Sequence, residues 1–252
     1  MKAIILAAGR GSRMKHLTHD APKCLVTLRG KSLLDWQLKA LREAGVTDIA
    51  IVTGYKREML SNRGLIEFHN ARWAETNMVS SLAAAEEWLA REVCIVSYSD
   101  IFYQSSAITT LIENPSSLAV TFDPNWKNLW EKRFADILTD AETFRLSADN
   151  TLTEIGNKPV TVEEIQGQYM GLLRFTPEGW KEIQRIRDNL SLDDRDKIHM
   201  TGILQKVIEH GRIRIAAIPY LQSWGEVDSE SDLRWYDQSC ANIDISHAPV
   251  LG

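Results

Sequence analysis

The sequence predicts an α/β fold: a Rossmann-like, mainly parallel sheet flanked by helices, with a small antiparallel meander in the second half. Up to residue 125, short apolar runs alternate with segments of helical period, the rhythm of strand–helix–strand units. Beyond residue 125 the apolar runs shorten and polar turns separate them, the pattern of antiparallel strands.

Residues 2–8 read as the first buried strand. A helix follows at 32–44, where Leu34, Leu38 and Leu41 recur at helical spacing, Ser32 supplies an N-cap and Gly45 a stop. The second strand spans 48–54, the second helix 78–90 and the third strand 93–97. A helix at 106–113 leads to a fourth strand at 118–122. The segments 134–138, 144–147, 152–155 and 168–175 are expected as antiparallel strands. Helices are expected at 177–189, 199–210 and 230–238, with a strand at 213–218. The polar tail, 241–252, is expected to fray. With no internal repeat and no linker in the way, residues 1–240 are expected to form one domain.

With 252 residues the chain can bury a sizeable core. Its net charge of -5 leaves no global basic field, which argues against nucleic acid or an anionic membrane as a partner. No stretch reaches the roughly 18 apolar residues of a membrane span, and the N-terminal apolar run is too short for a signal peptide. Cys24, Cys94 and Cys240 are odd in number and lack metal-like spacing, which argues against a disulfide framework. A soluble, cytoplasmic protein is expected, and the sequence decides nothing between a monomer and a homodimer.

The chemistry concentrates in residues 6–25, LAAGRGSRMKHLTHDAPKCL. In open parallel sheets ligands sit beyond the carboxyl ends of the strands, and this loop leaves such an end. Gly9 and Gly11 permit positive φ and let backbone N–H groups approach a ligand closely. Such N–H groups form an anion-binding concavity, which Arg10, Arg13, Lys15 and Lys23 would deepen. Phosphate is the indicated ligand. A Walker A loop would need Gly, four residues, then Gly-Lys-Ser/Thr, which is absent here. The dinucleotide fingerprint fails at Met14, where a third glycine belongs. Arg10, Lys15 and His16 also suit solvent-facing positions.

The pattern that does fit is LAAGxGxR followed by Pro-Lys: Leu6, Ala7, Ala8, Gly9, Arg10, Gly11, Ser12 and Arg13, then Pro22 and Lys23. In this the chain resembles the nucleotidyltransferases of the sugar-nucleotide pyrophosphorylase superfamily. The first 100 residues are most similar to bacterial phosphocholine cytidylyltransferase-like enzymes. The second half looks like capsule phosphoramidate-type cytidylyltransferases through Trp126 and Trp130, DAETF (140–144) and QYMGL (168–172). Ala8-Gly9 stands where the sugar-type loops often have Gly-Gly, which points away from a hexose 1-phosphate.

The resemblance implies an Mg²⁺-dependent transfer of CMP from CTP to a small phosphorylated or phosphonylated acceptor, with pyrophosphate released. Residues 1–125 would then be the nucleotide-binding half and 126–240 the acceptor-binding half. Arg13 and Lys23 would neutralise the triphosphate, with Leu6, Ala7, Ala8, Gly9, Gly11 and Ser12 around it. The resemblance also implies a metal ligand at Asp100, which ends VCIVSYSD, and at Asp228, which ends WGEVD. Mg²⁺ is hard, prefers oxygen and typically takes one or two carboxylates beside phosphates and water. Asp228 is also placed to cap the helix at 230–238, as is Ser229, and Glu226 is a third carboxylate with a structural reading. By the same resemblance ETNMVSSL (75–82) lies near the base, with Asn77 and Ser81 as contacts and Ser80 equally suited to capping.

For the acceptor, Trp126 and Trp130 stand four apart with Lys127, Lys132 and Arg133 beside them. An aromatic pair can hold a quaternary ammonium, and the cations could bind an acidic group. Core packing is the competing reading of the tryptophans. Lys158 would touch the acceptor phosphate, and Tyr169, Met170, His199 and Thr201 either line the pocket or pack the core. Two other functions compete: a sugar 1-phosphate nucleotidyltransferase using UTP or dTTP, and a non-catalytic regulatory protein of the same fold. Retention of Arg13, Lys23 and both aspartates argues against the second.

Overall fold

The computed structural model describes residues 1–11, 14, 17–61 and 63–238. Ser12, Arg13, Lys15, His16, Cys240 and the tail at 241–252 lie outside them.

Strand β1 (Lys2–Ala7) runs into the glycine loop, and a short hairpin, β2 (Thr27–Leu28) and β3 (Lys31–Ser32), precedes helix α1 (Leu33–Glu43). Ser32 caps α1, accepting a hydrogen bond from the Asp35 amide, as its sequence position predicts. Next come β4 (Asp48–Thr53), β5 (Ile66–His69), α2 (Met78–Ala83), α3 (Glu86–Leu89), β6 (Cys94–Tyr98) and β7 (Ile101–Tyr103). Helix α4 (Ser105–Glu113), β8 (Leu118–Asp123), α5 (Trp126–Arg133), β9 (Phe144–Leu146), β10 (Leu152–Ile155) and β11 (Gln168–Phe175) follow. The described chain closes with α6 (Pro177–Asp188), α7 (Leu192–Lys197), α8 (Met200–His210), β12 (Ile215–Pro219), β13 (Trp224–Glu226) and α9 (Glu230–Gln238).

Seven strands form the central sheet in the order β12-β8-β11-β6-β1-β4-β5. All pairings are parallel except those of β11, which is inserted antiparallel between β8 and β6. Parallel strands covered on both faces read as near-continuous apolar runs, and β1, β6 and β8 are buried along almost their whole length. One core lies beneath α2, α3, α6 and α8. The other lies on the opposite face beneath α1, α4 and α5.

Three expectations are corrected. The helix expected at 78–90 is two helices, because Ala84 and Ala85 bond back three residues, to Ser81 and Leu82, and tighten the turn between them. No strand forms at 134–138; the chain leaves α5 there and makes a short turn at Ile137–Thr139, where the Asp136 carboxylate accepts from the Leu138 amide. The strand at 168–175 belongs to the central sheet, so the meander reduces to the β9–β10 hairpin. Among the described residues no helix is long and apolar enough to cross a membrane.

Candidate active site

Two loops leave the carboxyl ends of the adjacent parallel strands β1 and β6, and a third segment is brought to them by β13. Gly11, at φ +67°, is in a conformation that side chains rarely adopt, and a Cβ there would stand 2.9 Å from Lys23 Cβ. The bare glycine thus lets the Lys23 stem lie against the loop. Gly9 does not use the positive φ open to it, and the space where its side chain would be is open. Past β6, Gln37 on α1 donates to the carbonyls of Tyr98 (2.7 Å) and Ile101 (2.6 Å). These bonds clamp the turn that carries Asp100. Antiparallel pairing of β13 with β7, continued by the Val227 amide bonding to the Asp100 carbonyl at 2.9 Å, sets Asp228 beside Asp100.

Lys23 Nζ donates to Asp100 Oδ2 at 2.8 Å and to Asp228 Oδ1 at 2.6 Å, with only 7% of its side chain exposed. Burial works against its charge, yet Asp100, Asp228 and Glu226 outweigh that and hold the ammonium above its ordinary range. On the other side Arg133, fully buried, pairs with Asp232 at 2.9 Å and with Glu226 and Asp228 at 3.5 Å each. Burial, with Asp228 and Asp100 nearby, pushes the Glu226 carboxyl up to about 8. Ser229 accepts from the Asp232 amide, and Asp232 in turn accepts from the Asp228 and Ser229 amides.

Asp100, Glu226 and Asp228 offer carboxylate oxygens within 4.8 Å of one another. Asp100 Oδ1 is buried without a hydrogen-bond partner, an oxygen left over for a ligand. A set of hard oxygen donors of this kind fits a hard divalent cation.

Two clefts meet here. The first, about 280 Å³, is lined by Leu6, Ala8, Gly9, Gly11, Lys23 and Asp100. Trp73, Thr76, Asn77 and Ser81 line it as well. The second, about 270 Å³, is lined by Glu142, Gln168, Tyr169, His199, Thr201 and Asp228, among others. Met78 and Tyr98 wall both, and the carboxylates stand at the junction. A larger depression, about 720 Å³, opens over α1, but no carboxyl end of a central-sheet strand lines it. Its charges are spent on surface pairs such as Arg63–Asp35 and Lys39–Glu43.

The sequence-selected residues divide accordingly. Lys23, Asp100 and Asp228 come together, and Leu6, Ala8, Gly9, Gly11, Asn77 and Ser81 line the first cleft. Ala7 faces the core on the other side of the sheet. Asn77 also caps α2, accepting from the Met78 amide at 2.7 Å. Ser80 points elsewhere, donating to the Arg195 carbonyl. Ser12 and Arg13 lie outside the described residues. Tyr169 lines the second cleft.

The aromatic wall expected of Trp126 and Trp130 is absent. They are 3% and 0% exposed, in the core with Trp224, and their helix turns them inward because that is its apolar side. Arg133 is likewise unavailable to an acceptor, held behind the carboxylates and stacked 4.8 Å from the Trp130 ring. Lys158 is exposed beyond β10 and lines neither cleft. The sequence reading missed Trp73, Gln37, Tyr98 and Glu142. A lone Trp in the polar stretch NARWAET and a Gln on the apolar side of α1 were the available signals for the first two.

Comparison with known proteins agrees with this geometry. Residues 3–147 match the profile of the MobA-like NTP transferase domain. The chain is 36% identical over 249 residues to the CTP:phosphoglutamine cytidylyltransferase of Campylobacter jejuni subsp. jejuni serotype O:2, covering 92% of this chain and 98% of that one. Over 99 residues, 38% of this chain and 43% of the other, it is 38% identical to the choline-phosphate cytidylyltransferase of Streptococcus pneumoniae. Its fold is that of the inositol-1-phosphate CTP transferase from T. maritima, with a TM-score of 0.74 at 20% identity, covering 94% of this chain and 93% of that one. The strand ends, the glycine loop and the matched profile lead to one conclusion: the chain belongs to the MobA-like NTP transferase family and is a nucleotidyltransferase.

Proposed function

We propose that the protein is a Mg²⁺-dependent cytidylyltransferase that joins CMP from CTP to a small phosphorylated or phosphonylated acceptor and releases pyrophosphate. The observation that carries this is the pair of clefts meeting at one carboxylate cluster. The first offers a glycine loop and an ammonium for phosphates, with short polar side chains and an indole for a base. The second is large enough for a small acceptor only.

In the reaction an oxygen of the acceptor phosphate attacks the α-phosphorus of CTP. The new P–O bond forms as the bond from α-phosphorus to the bridging oxygen breaks, and pyrophosphate leaves with that oxygen. The acceptor phosphate has a second pKa of about 6 and arrives largely dianionic, so no side chain need take a proton. Positioning and charge stabilisation remain for the protein. Lys23 is assigned to the charge that develops on the phosphoryl oxygens, with Arg13 assigned beside it from the sequence pattern. Asp100 and Asp228 would hold Mg²⁺, which supplies charge neutralisation at the phosphates. Gln37 keeps Asp100 in position, and Arg133 does the same for Asp228.

The names of the relatives, both cytidylyltransferases, support CTP. Pyrophosphate release should be measured with CTP, UTP and dTTP, each with small phospho-acceptors and with glucose 1-phosphate. Turnover with CTP and a small acceptor is expected. Preference for UTP or dTTP with glucose 1-phosphate would replace this reading with a sugar nucleotidyltransferase.

A further inference from the structure

Thr76, Asn77 and Ser81, which line the first cleft, have their protons committed elsewhere. Thr76 Oγ1 donates to the Arg72 carbonyl at 2.9 Å, and Ser81 Oγ donates to the Asn77 carbonyl at 3.4 Å. Both hydroxyls accept from one side-chain nitrogen, Asn70 Nδ2, at 2.9 and 3.0 Å. Asn77 Nδ2 donates to the Lys197 carbonyl at 3.2 Å and to His199 Nδ1 at 3.1 Å. A hydroxyl has one proton and two lone pairs, so Thr76 and Ser81 each keep a lone pair and no proton for a ligand. Two other side-chain donors line the cleft besides Lys23. Ser99 precedes Asp100 and belongs with the carboxylates, and the Trp73 indole N–H suits the C2 carbonyl that all the pyrimidine bases share.

The Asn70 amide can face only one way. Its Oδ1 accepts from the Arg72 backbone amide at 3.0 Å, which only the oxygen can do, so Nδ2 is the atom that meets the two hydroxyls. Asn70 follows β5 directly and is 9% exposed. Its own amide bonds to the Thr53 carbonyl at 2.9 Å, at the end of β4, and its carbonyl accepts from the Trp73 amide at 3.2 Å. The sheet therefore holds this side chain in place. A side-chain amide nitrogen donates and does not accept, so each hydroxyl must send its proton to the backbone carbonyl on its other side. Turning either proton into the cleft would break that bond and leave a carbonyl unmet.

We propose that Asn70 is a positioning residue that sets the polarity of the base subsite, making Thr76 and Ser81 acceptors that read an exocyclic amino group. Two oxygens bonded to the same nitrogen stand close together and suit a group that carries two N–H bonds. Cytosine presents such a group at C4. Uracil and thymine present a carbonyl there, whose lone pairs would face those of the two hydroxyls. The selection thus belongs to a side chain that does not itself line the cleft. It concerns the choice among pyrimidine nucleotides, and it rests on reading the first cleft as the nucleotide site.

The test is nucleotide binding by calorimetry with Mg²⁺ and without acceptor, so that no turnover is needed. Three triphosphates are compared: CTP, UTP and the 2-pyrimidinone riboside analogue. The analogue keeps the ring nitrogen and C2 carbonyl of cytosine but has only hydrogen at C4. CTP should bind more tightly than either by on the order of a hundredfold, because both leave the hydroxyl acceptors unmet. Asn70→Ala frees the hydroxyls to turn, and the CTP-to-UTP ratio should fall by roughly tenfold, chiefly through tighter UTP binding. Thr76→Val should lower the ratio too, whereas Thr76→Ser, which keeps the hydroxyl, should preserve it. If Asn70→Ala melts far below wild type, the two Thr76 variants decide. A purely structural role for Asn70 would weaken CTP and UTP alike. A ratio unchanged in folded Asn70→Ala or in Thr76→Val would therefore overturn the proposal, as would equal binding of CTP and the analogue by the wild type. Equal binding of CTP and UTP would overturn it alone, while failure of every triphosphate to bind would overturn the nucleotide-site reading and this inference with it.

Discussion

Replacing Lys23 by methionine removes the ammonium that stands between Asp100 and Asp228 while keeping most of the apolar stem against Gly11. The structure fixes what is lost: two ion pairs of 2.8 and 2.6 Å, with 7% of the lysine side chain exposed. Removing one partner of a buried pair costs about 3–5 kcal/mol, because the charges left behind stay buried. The lower end applies here, since Arg133 still touches Asp228 and Glu226 at 3.5 Å. A loss of about 3 kcal/mol in a domain of this size lowers the melting temperature by roughly 6–12 °C. Mg²⁺ should restore much of it, because a cation that binds the folded carboxylates stabilises that state by mass action. The same titration should give a smaller rise for the wild type, whose lysine already neutralises the cluster. The assay is a thermal melt of both proteins, metal-free and across a Mg²⁺ series. A variant as stable as wild type, or one whose melting temperature ignores Mg²⁺, would refute the picture of three carboxylates balanced by this lysine. Turnover should fall about 10²–10³-fold, the loss of one charge-stabilising donor.

Asp100→Asn and Asp228→Asn should each abolish most turnover, and the double variant should lose little more, because groups that act as a unit are not additive; multiplicative loss in steady-state rates would separate their roles. Trp73→Ala should weaken CTP binding by about 1–3 kcal/mol if the indole stacks on the base, with acceptor KM unmoved; unchanged nucleotide affinity by calorimetry would remove it from the site. Trp130→Leu should lower stability by about 2–4 kcal/mol through a core cavity and leave acceptor KM unchanged in the folded fraction, whereas a selective rise in acceptor KM would return this residue to the pocket. Burial pushes the Cys24 and Cys94 thiols up to about 12, so neither should react with a disulfide reagent in the native protein at neutral pH; rapid labelling of either, mapped by mass spectrometry, would contradict their placement.

The parallel half of the fold was legible because its signals are local. Apolar runs at 2–8, 48–54 and 93–97 became β1, β4 and β6, and Ser32 and Gly45 bounded α1 as their chemistry requires. Strand β11 was found but not its place, since pairing with β8 and β6 joins segments about 50 and 75 residues away and leaves no local mark. Strand β5 was missed, a four-residue sheet edge with polar Glu67 and His69 in it. At the site, Lys23, Asp100 and Asp228 were legible through a loop motif and two strand ends. The tryptophans misled for a physical reason. Residues four apart share one side of a helix, and the spacing is the same whether that side meets a ligand or the core. Tertiary packing alone decided for the core. Tyr169, Met170, His199 and Thr201, weighed from the sequence as pocket or core, do line the second cleft, whereas Glu142 and Tyr98 carry no local mark and join it only through the fold.

A cytidylyltransferase must make a new diphosphate linkage across the two clefts. The direct measurement is ³¹P NMR of CTP and 2-aminoethyl phosphate incubated with the protein and Mg²⁺. Equal amounts of pyrophosphate and of a CMP-linked diphosphate are expected, with both signals lost in Asp100→Asn and strongly reduced in Lys23→Met. Orthophosphate or free CMP as the products, or a diphosphate signal undiminished in Asp100→Asn, would contradict that expectation.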